Sequence, residues 1–176
     1  MSNLSPSFEI KPIEKQWYAL YTKGRHEKSV DLELKKKGIE SFLPLRKIKR
    51  RWSDRVTTVE EPLFSSYVFV KTGGDKATEV IRSKGAVCFV SVNARPVQIR
   101  PEVIEALKSI LESQIAVDPF PYLNAGSRVI VKSGIFKGVE GFIARKDQKR
   151  CRLVISIDAL KASISIEVDS ALVEKV

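Results

Sequence analysis

Histidine is nearly absent from this chain. His26 is the only one in 176 residues, and it lies beside Glu27 in a charged stretch of helical spacing. Imidazole-based acid–base work and histidine-rich metal centres therefore have almost nothing to build on. Cysteine is as scarce. Cys88 and Cys151 form no Cys-x-x-Cys motif and both sit in apolar, strand-like contexts. The expectation is two free, buried thiols, with neither a zinc site nor a disulfide framework. No apolar run reaches the length of a membrane span or a signal peptide, so a cytoplasmic protein with no membrane partner is expected. Glu60 and Glu61 are adjacent and have no special claim to share a cleft. Residues 134–138, GIFKG, lack the spacing and the Lys-Ser/Thr ending of a phosphate-binding loop. With no catalytic set, metal or cofactor in prospect, the chain reads as a binding protein and not an enzyme.

What the chain has in excess is positive charge. Its formal net charge is +10, and the excess is divided along the sequence. Residues 1–112 hold 21 Lys/Arg against 14 Asp/Glu (+7), and residues 125–176 hold 10 against 6 (+4). Such a balance favours nucleic acid or an acidic surface through long-range electrostatics, although it also serves solubility. Asp118-Pro119-Phe120-Pro121 separates the two regions, and its prolines disfavour regular structure. The organisation expected is a domain over residues 14–112, a linker over 113–124 and a smaller domain over 125–176, after a loose tail at 1–13.

Periodicity outlines the first domain. Residues 16–22, with Trp17, Tyr18 and Tyr21, read as a strand. Residues 25–37 have helical spacing, with Val30 and Leu34 inward and Glu27 among the charges left outside. In the strand LFSSYVFV, alternation places Tyr67 and Phe69 on one face and Val68 and Val70 on the other. A short helix over 76–83, a strand over 87–90 and a helix opened by Pro101 follow. The order β-α-β-β-β-α-β plus a final helix describes an α+β domain with an antiparallel sheet and helices on one side. The bare face then needs cover, from the second domain or from a partner. Trp17, Tyr18, Tyr21, Phe64 and Tyr67 exceed the obvious needs of a core this small, so some are candidates for an exposed docking patch.

The stretch RKIKRRWSDR over residues 46–55 carries six cations and one acid around Trp52. Ser53-Asp54 suits a turn, and a basic β-hairpin is the natural reading. Its cations could meet phosphates. Trp52 could stack on a base or simply cover the hairpin's apolar side. In the second domain, Val129 and Val131 alternate before a loop set by Gly134, Phe136 and Gly138, with Gly126 ahead of it and Gly141 after. Glycines so placed permit tight reversals between half-buried strands, and a small all-β barrel is expected.

These motifs resemble one family. WYALYTKGRHEKSV (17–30), FLPLRKIKRRWSDR (42–55) and LFSSYVFV (63–70) resemble the N-terminal domain of NusG-type transcription factors. AGSRVIVKSGIFKGVEGFI (125–143) resembles the KOW motif that follows it. WSDR and the late segment VISIDALKASISIEVD (154–169) look closest to the UpxY-like, RfaH-related branch. The resemblance implies an N-terminal αβ domain with a four-stranded antiparallel sheet, then a five-stranded SH3-like barrel. It also implies a monomer that bridges the RNA polymerase cleft without catalysis, suppressing pausing and termination.

Carried over by position, Trp17, Tyr18, Tyr21, Phe64 and Tyr67 would meet the clamp helices of the largest polymerase subunit. Asp75, Lys76, Thr78, Arg82 and Lys84 would face the gate loop or non-template DNA, and Arg50, Arg51 and Arg55 would approach upstream DNA. The branch implies antitermination in a surface or capsular polysaccharide operon. The alternative is a general NusG-type factor coupling polymerase to Rho or to the ribosome through the KOW domain. Two departures stand out: Ser65 and Ser66 replace the family's Pro and Gly/Asn before the YVFV strand, and Gly24 replaces a frequent proline.

Overall fold

A computed structural model describes residues 14–52, 54–113, 115–123, 125–146 and 149–176. The expected tail at 1–13 and Ser53 of the expected turn lie outside the described residues. The first part runs β1 (Gln16–Thr22), α1 (Glu27–Lys36), β2 (Glu40–Phe42), β3 (Leu45–Arg51), β4 (Val56–Pro62) and β5 (Tyr67–Thr72). It continues through α2 (Ala77–Ile81), β6 (Ala86–Phe89), β7 (Ser91–Val92), β8 (Arg95–Pro96), β9 (Gln98–Ile99) and α3 (Pro101–Glu112). The second part is β10 (Asp118–Phe120), β11 (Ser127–Val131), β12 (Glu140–Lys146), β13 (Arg150–Ile157), β14 (Ala162–Asp169) and β15 (Val173–Lys175).

The N-terminal sheet has five strands rather than the four expected. Its path is β2-β5-β1-β6, and β9 also pairs with β1 through Trp17↔Ile99 and Tyr18↔Gln98. The period-2 alternation of β1 and β5 divides this sheet into two packed faces. Leu20, Val68 and Val70 meet Val30 and Leu34 of α1 and Val80 of α2. On the other face Trp17, Ala19 and Phe69 meet Ile104, Leu107 and Ile110 of α3. Helices therefore cover both faces, not one as the strand order suggested. The α3 spacing i, i+3, i+6 turns one stripe to the sheet, while Val103 and Ala106 also touch the core. The same apolar cluster runs on into Val129, Val131, Phe136, Leu153 and Ile155 of the second part, so the connected domain contributes to the cover.

The C-terminal half corrects the expected five-stranded barrel. It is a six-stranded antiparallel sheet of order β10-β14-β13-β12-β11-β15, and among the described residues its end strands do not pair with each other. The outer edge of β14 is taken by β10, through Asp118↔Ser165, Pro119↔Ile164 and Phe120↔Ser163. The three-residue β15 lies instead along β11. The sheet thus ends at β10 instead of closing. Pro119, expected to keep its segment irregular, is accommodated because β10 is an edge strand, where a missing N–H breaks no ladder on its outer side. Inward alternation holds, with Val129, Val131, Leu153, Ile155, Ile157, Ile164, Ile166 and Val168 all buried.

Both cysteines are free, but only Cys151 is buried; Cys88 lies exposed on β6. Among the described residues no helix is long and apolar enough to cross a membrane.

Candidate functional site

The five aromatic candidates do not form one patch. Tyr21 and Tyr67 are direct cross-strand partners, with ring centroids 5.5 Å apart and planes tilted by 58°. Tyr21 is 41% exposed and Tyr67 is half-buried. Trp17, on the same sheet face, and Phe64 are buried in the apolar cluster against which Tyr67 packs. Phe64 meets Phe69 edge-on at 6.1 Å, and Lys108 Nζ stands 5.6 Å from the Trp17 ring. Tyr18 belongs to the opposite face, packed edge-on against Phe89 at 5.7 Å.

The loop leading into Tyr67 shows why its sequence departs from the family pattern at a cost. Ser66 has φ +67, in the left-handed region where glycine is at ease and a Cβ is not. The turn is held from both ends: Ser66 N–H donates to Glu27 Oε1 at 2.7 Å, and Thr22 N–H donates to Ser66 O at 2.9 Å. Glu27, expected on the charged outer surface of α1, is 5% exposed because its carboxylate makes this contact. We expect Ser66→Gly to stabilise the protein by about 0.5–1 kcal/mol, relieving left-handed strain against glycine's larger unfolded-state entropy. Chemical denaturation would detect it, and a destabilised variant would show that the serine side chain itself holds the turn.

The charged candidates lie in two other places. Asp75 and Thr78 are exposed at the start of α2, Lys76 is half-buried, and Arg82 and Lys84 are exposed after the helix. Because α2 packs on the α1 face, this group lies across the sheet from the Tyr21–Tyr67 pair. The Lys84 N–H donates to Glu33 Oε2 at 2.9 Å. The Lys37 ammonium, 2.6 Å from Glu33 Oε1, and that N–H hold the Glu33 carboxyl below the ordinary carboxylate range.

The hairpin of β3 and β4 is a separate two-stranded sheet, and its two faces differ. Register puts Arg46, Ile48 and Arg50 with Glu61, Val59 and Thr57 on one face. There Arg50 pairs with Glu61, and Arg46 with Asp118 at 3.0 Å. The other face carries Lys47, Lys49 and Arg51, all exposed, and near the tip Val56 and Trp52 are 63% and 61% exposed. Arg55 is exposed as well, and its carbonyl accepts the Trp52 N–H at 2.8 Å. Of the three expected DNA-facing arginines, then, Arg50 is engaged within the protein while Arg51 and Arg55 are presented. Lys47 and Lys49, cations of the same stretch, share the exposed face of Arg51.

In the second domain, the glycines of residues 126–141 have separate jobs. Gly126, Gly134 and Gly138 have φ values of +118, +81 and +86. The last two shape a loop whose Phe136 is 5% exposed and whose Ile135 is 64% exposed. Gly138 N–H donates to Val131 O at 2.8 Å and closes it. Gly141 instead permits close approach, since a Cβ there would lie 2.5 Å from Val154 O.

The described residues thus present an aromatic pair on one sheet face and a basic hairpin beside it. Residues 15–108 match the family model described as "Transcription termination factor nusG", more than half of the chain. The chain belongs to the NusG family of transcription factors. It is 22% identical to the transcription termination/antitermination protein NusG of Borreliella burgdorferi, over 93% of this chain and 100% of that protein. The protein of the same name from Rickettsia felis is 25% identical over 99% and 96%. A solved structure titled "Domain interaction in Thermotoga maritima NusG" shares the fold at TM-score 0.54, with 20% identity over 93% of this chain and 98% of that one.

Proposed function

We propose that this protein is a NusG-type elongation and antitermination factor that docks on RNA polymerase through the surface around Tyr21 and Tyr67. The observation that carries the reading is that pair: two accessible tyrosines in tilted contact across adjacent strands, with Trp17 and Phe64 buried in the apolar cluster of the same face, the composition of an interface hot spot. Clamp helices would cover this surface, and the exposed cations at 82 and 84 would meet the gate loop or non-template DNA beyond the sheet. Lys47, Lys49, Arg51 and Arg55 would hold upstream DNA by its phosphates.

No bond is made or broken in such a mechanism. A protein that touches both sides of the cleft favours the closed, elongating state in proportion to its extra affinity for that state, and pauses shorten accordingly. The curated relatives named above carry the general NusG name, so a general factor is the reading adopted. A specialised role in one polysaccharide operon is its rival, carried by residues 52–55 and 154–169 alone.

Purified RNA polymerase transcribing two templates, with and without a candidate polysaccharide-operon leader, tests both. Equal pause suppression on the two templates is the expected result. Suppression confined to the leader template would transfer the proposal to the specialised role. No effect on either would overturn polymerase docking.

A further inference from the structure

The two faces of the β3–β4 hairpin differ in how their charges are used. On one, Arg46 pairs with Asp118 and Arg50 with Glu61. On the other, Lys47, Lys49 and Arg51 are exposed, and Glu60 stands opposite Lys47 in register without an ion pair forming among the described residues. Alternate positions of a strand set these three cations about 6.8 Å apart, close to the separation of successive phosphates along one nucleic-acid strand. The row can therefore follow a single backbone, one phosphate to each cation.

The row ends at the tip on an aromatic side chain. Trp52 is 61% exposed, and Val56, the register partner of Arg51, is 63% exposed. An indole this exposed does not cover the hairpin's apolar side, one of the two roles left open to it by the sequence. Its backbone is fixed at the turn, where Trp52 N–H donates to Arg55 O at 2.8 Å. Arg51 and Arg55 flank the tip, and Asp54 is the only acid in residues 46–55.

We propose that Trp52 stacks on the unpaired base at the point where a DNA duplex opens, while Lys47, Lys49 and Arg51 hold the phosphates of the strand leading to it. Charge alone does not separate duplex from open strand, because both present phosphates. The indole does. Inside a duplex each base face is covered by its neighbours, whereas the first base beyond the last pair offers a free one. Stacking there takes an apolar ring out of water and tolerates any base, since every base has a π-face. This inference rests on the hairpin being a DNA contact, and it adds a preferred position that phosphate contacts cannot supply.

The test titrates the full chain into labelled DNA over a series of salt concentrations, without polymerase. The probes are a forked DNA, a duplex with both ends bridged by hexaethylene glycol so that no base is unpaired, and an RNA fork of the same sequence. Anisotropy reads affinity. Tryptophan emission reads Trp52, because Trp17, the only other tryptophan, is 3% exposed. Wild type should bind the DNA fork at least about fivefold more tightly than the closed duplex, with emission quenched on the fork alone. Trp52→Ala should bring the two affinities together without changing the log K against log salt slope, and Trp52→Phe should keep part of the preference. Lys49→Gln/Arg51→Gln should do the reverse, flattening the slope by roughly 1.4–1.8, two phosphates at about 0.7–0.9 each, while the fork preference survives. All three side chains are exposed, so the unfolding midpoint should stay unchanged in every variant. A fork preference that persists in Trp52→Ala, or is absent in wild type, overturns the base contact and leaves the phosphate contacts standing. Failure of every probe to bind overturns both readings of the hairpin. Equal or tighter binding of the RNA fork overturns the assignment to DNA. If Trp52→Ala instead lowers affinity for core RNA polymerase with DNA binding intact, the indole is a protein contact and the proposal fails.

Discussion

Replacing Gly141 by alanine should destabilise the protein by about 2–3 kcal/mol, the upper part of the range for overpacking a well-packed site. The added Cβ would stand 2.5 Å from Val154 O and 2.8 Å from Leu153 Cδ1. The first neighbour is backbone and the second belongs to a fully buried side chain, so neither can turn aside. Gly141 pairs with Val129 on β11, and its neighbour Phe142 pairs with Val154 on β13, so any retreat strains two ladders at once. A sheet of roughly 50 residues has only a few kcal/mol in hand. The midpoint of thermal unfolding followed by circular dichroism should therefore fall by roughly 10–20 °C. Gly74→Ala is the matched control, with nothing within 4 Å of its Cβ, and should move the midpoint little. If Gly141→Ala unfolds like wild type, the close approach of β12 to β13 is not a constraint on this fold.

How far the sequence reveals the molecule depends on which interaction sets each feature. Alternation reports faces well: Tyr67 and Phe69 against Val68 and Val70, and Val129 with Val131, lie where a period of two places them. Helix placement is likewise local, and Pro101 opens α3 at its first position. Closure of the second sheet is not legible in the sequence, because it depends on which strand takes the outer edge of β14. That edge goes to a proline-containing segment with no strand signal of its own. The apolar neighbours of Cys88 match a core strand, but β6 lies at an end of the sheet path and leaves the thiol exposed. A carboxylate on a charged helix is normally solvated, and that pattern puts Glu27 outside. Only the fold brings the Ser66 N–H to within 2.7 Å of it. The division of the aromatic candidates between exposed, buried and opposite-face positions requires the register of β1 on β5.

The largest functional effect is expected from Tyr21→Ala/Tyr67→Ala. Buried interface aromatics cost about 2–4 kcal/mol each on truncation, and paired ones are not additive, so the double variant should lose on the order of 100-fold or more in affinity for core RNA polymerase. Folding should be largely spared, because Tyr21 is 41% exposed and the fully buried Phe69 beneath the pair is untouched. Tyr18→Ala provides the contrast. Its ring packs on Phe89 across the sheet, so its loss should lower the unfolding midpoint while leaving polymerase affinity within about threefold, less than 1 kcal/mol. The two variants thus separate a docking surface from a packing role by opposite signatures in two measurements, equilibrium binding and thermal unfolding. If Tyr18→Ala abolishes binding as thoroughly as the double variant, the docking face is not the one presenting Tyr21 and Tyr67. If the double variant binds like wild type, these tyrosines serve the connection between the two parts of the chain, to which their side of the sheet is already joined by a continuous apolar cluster.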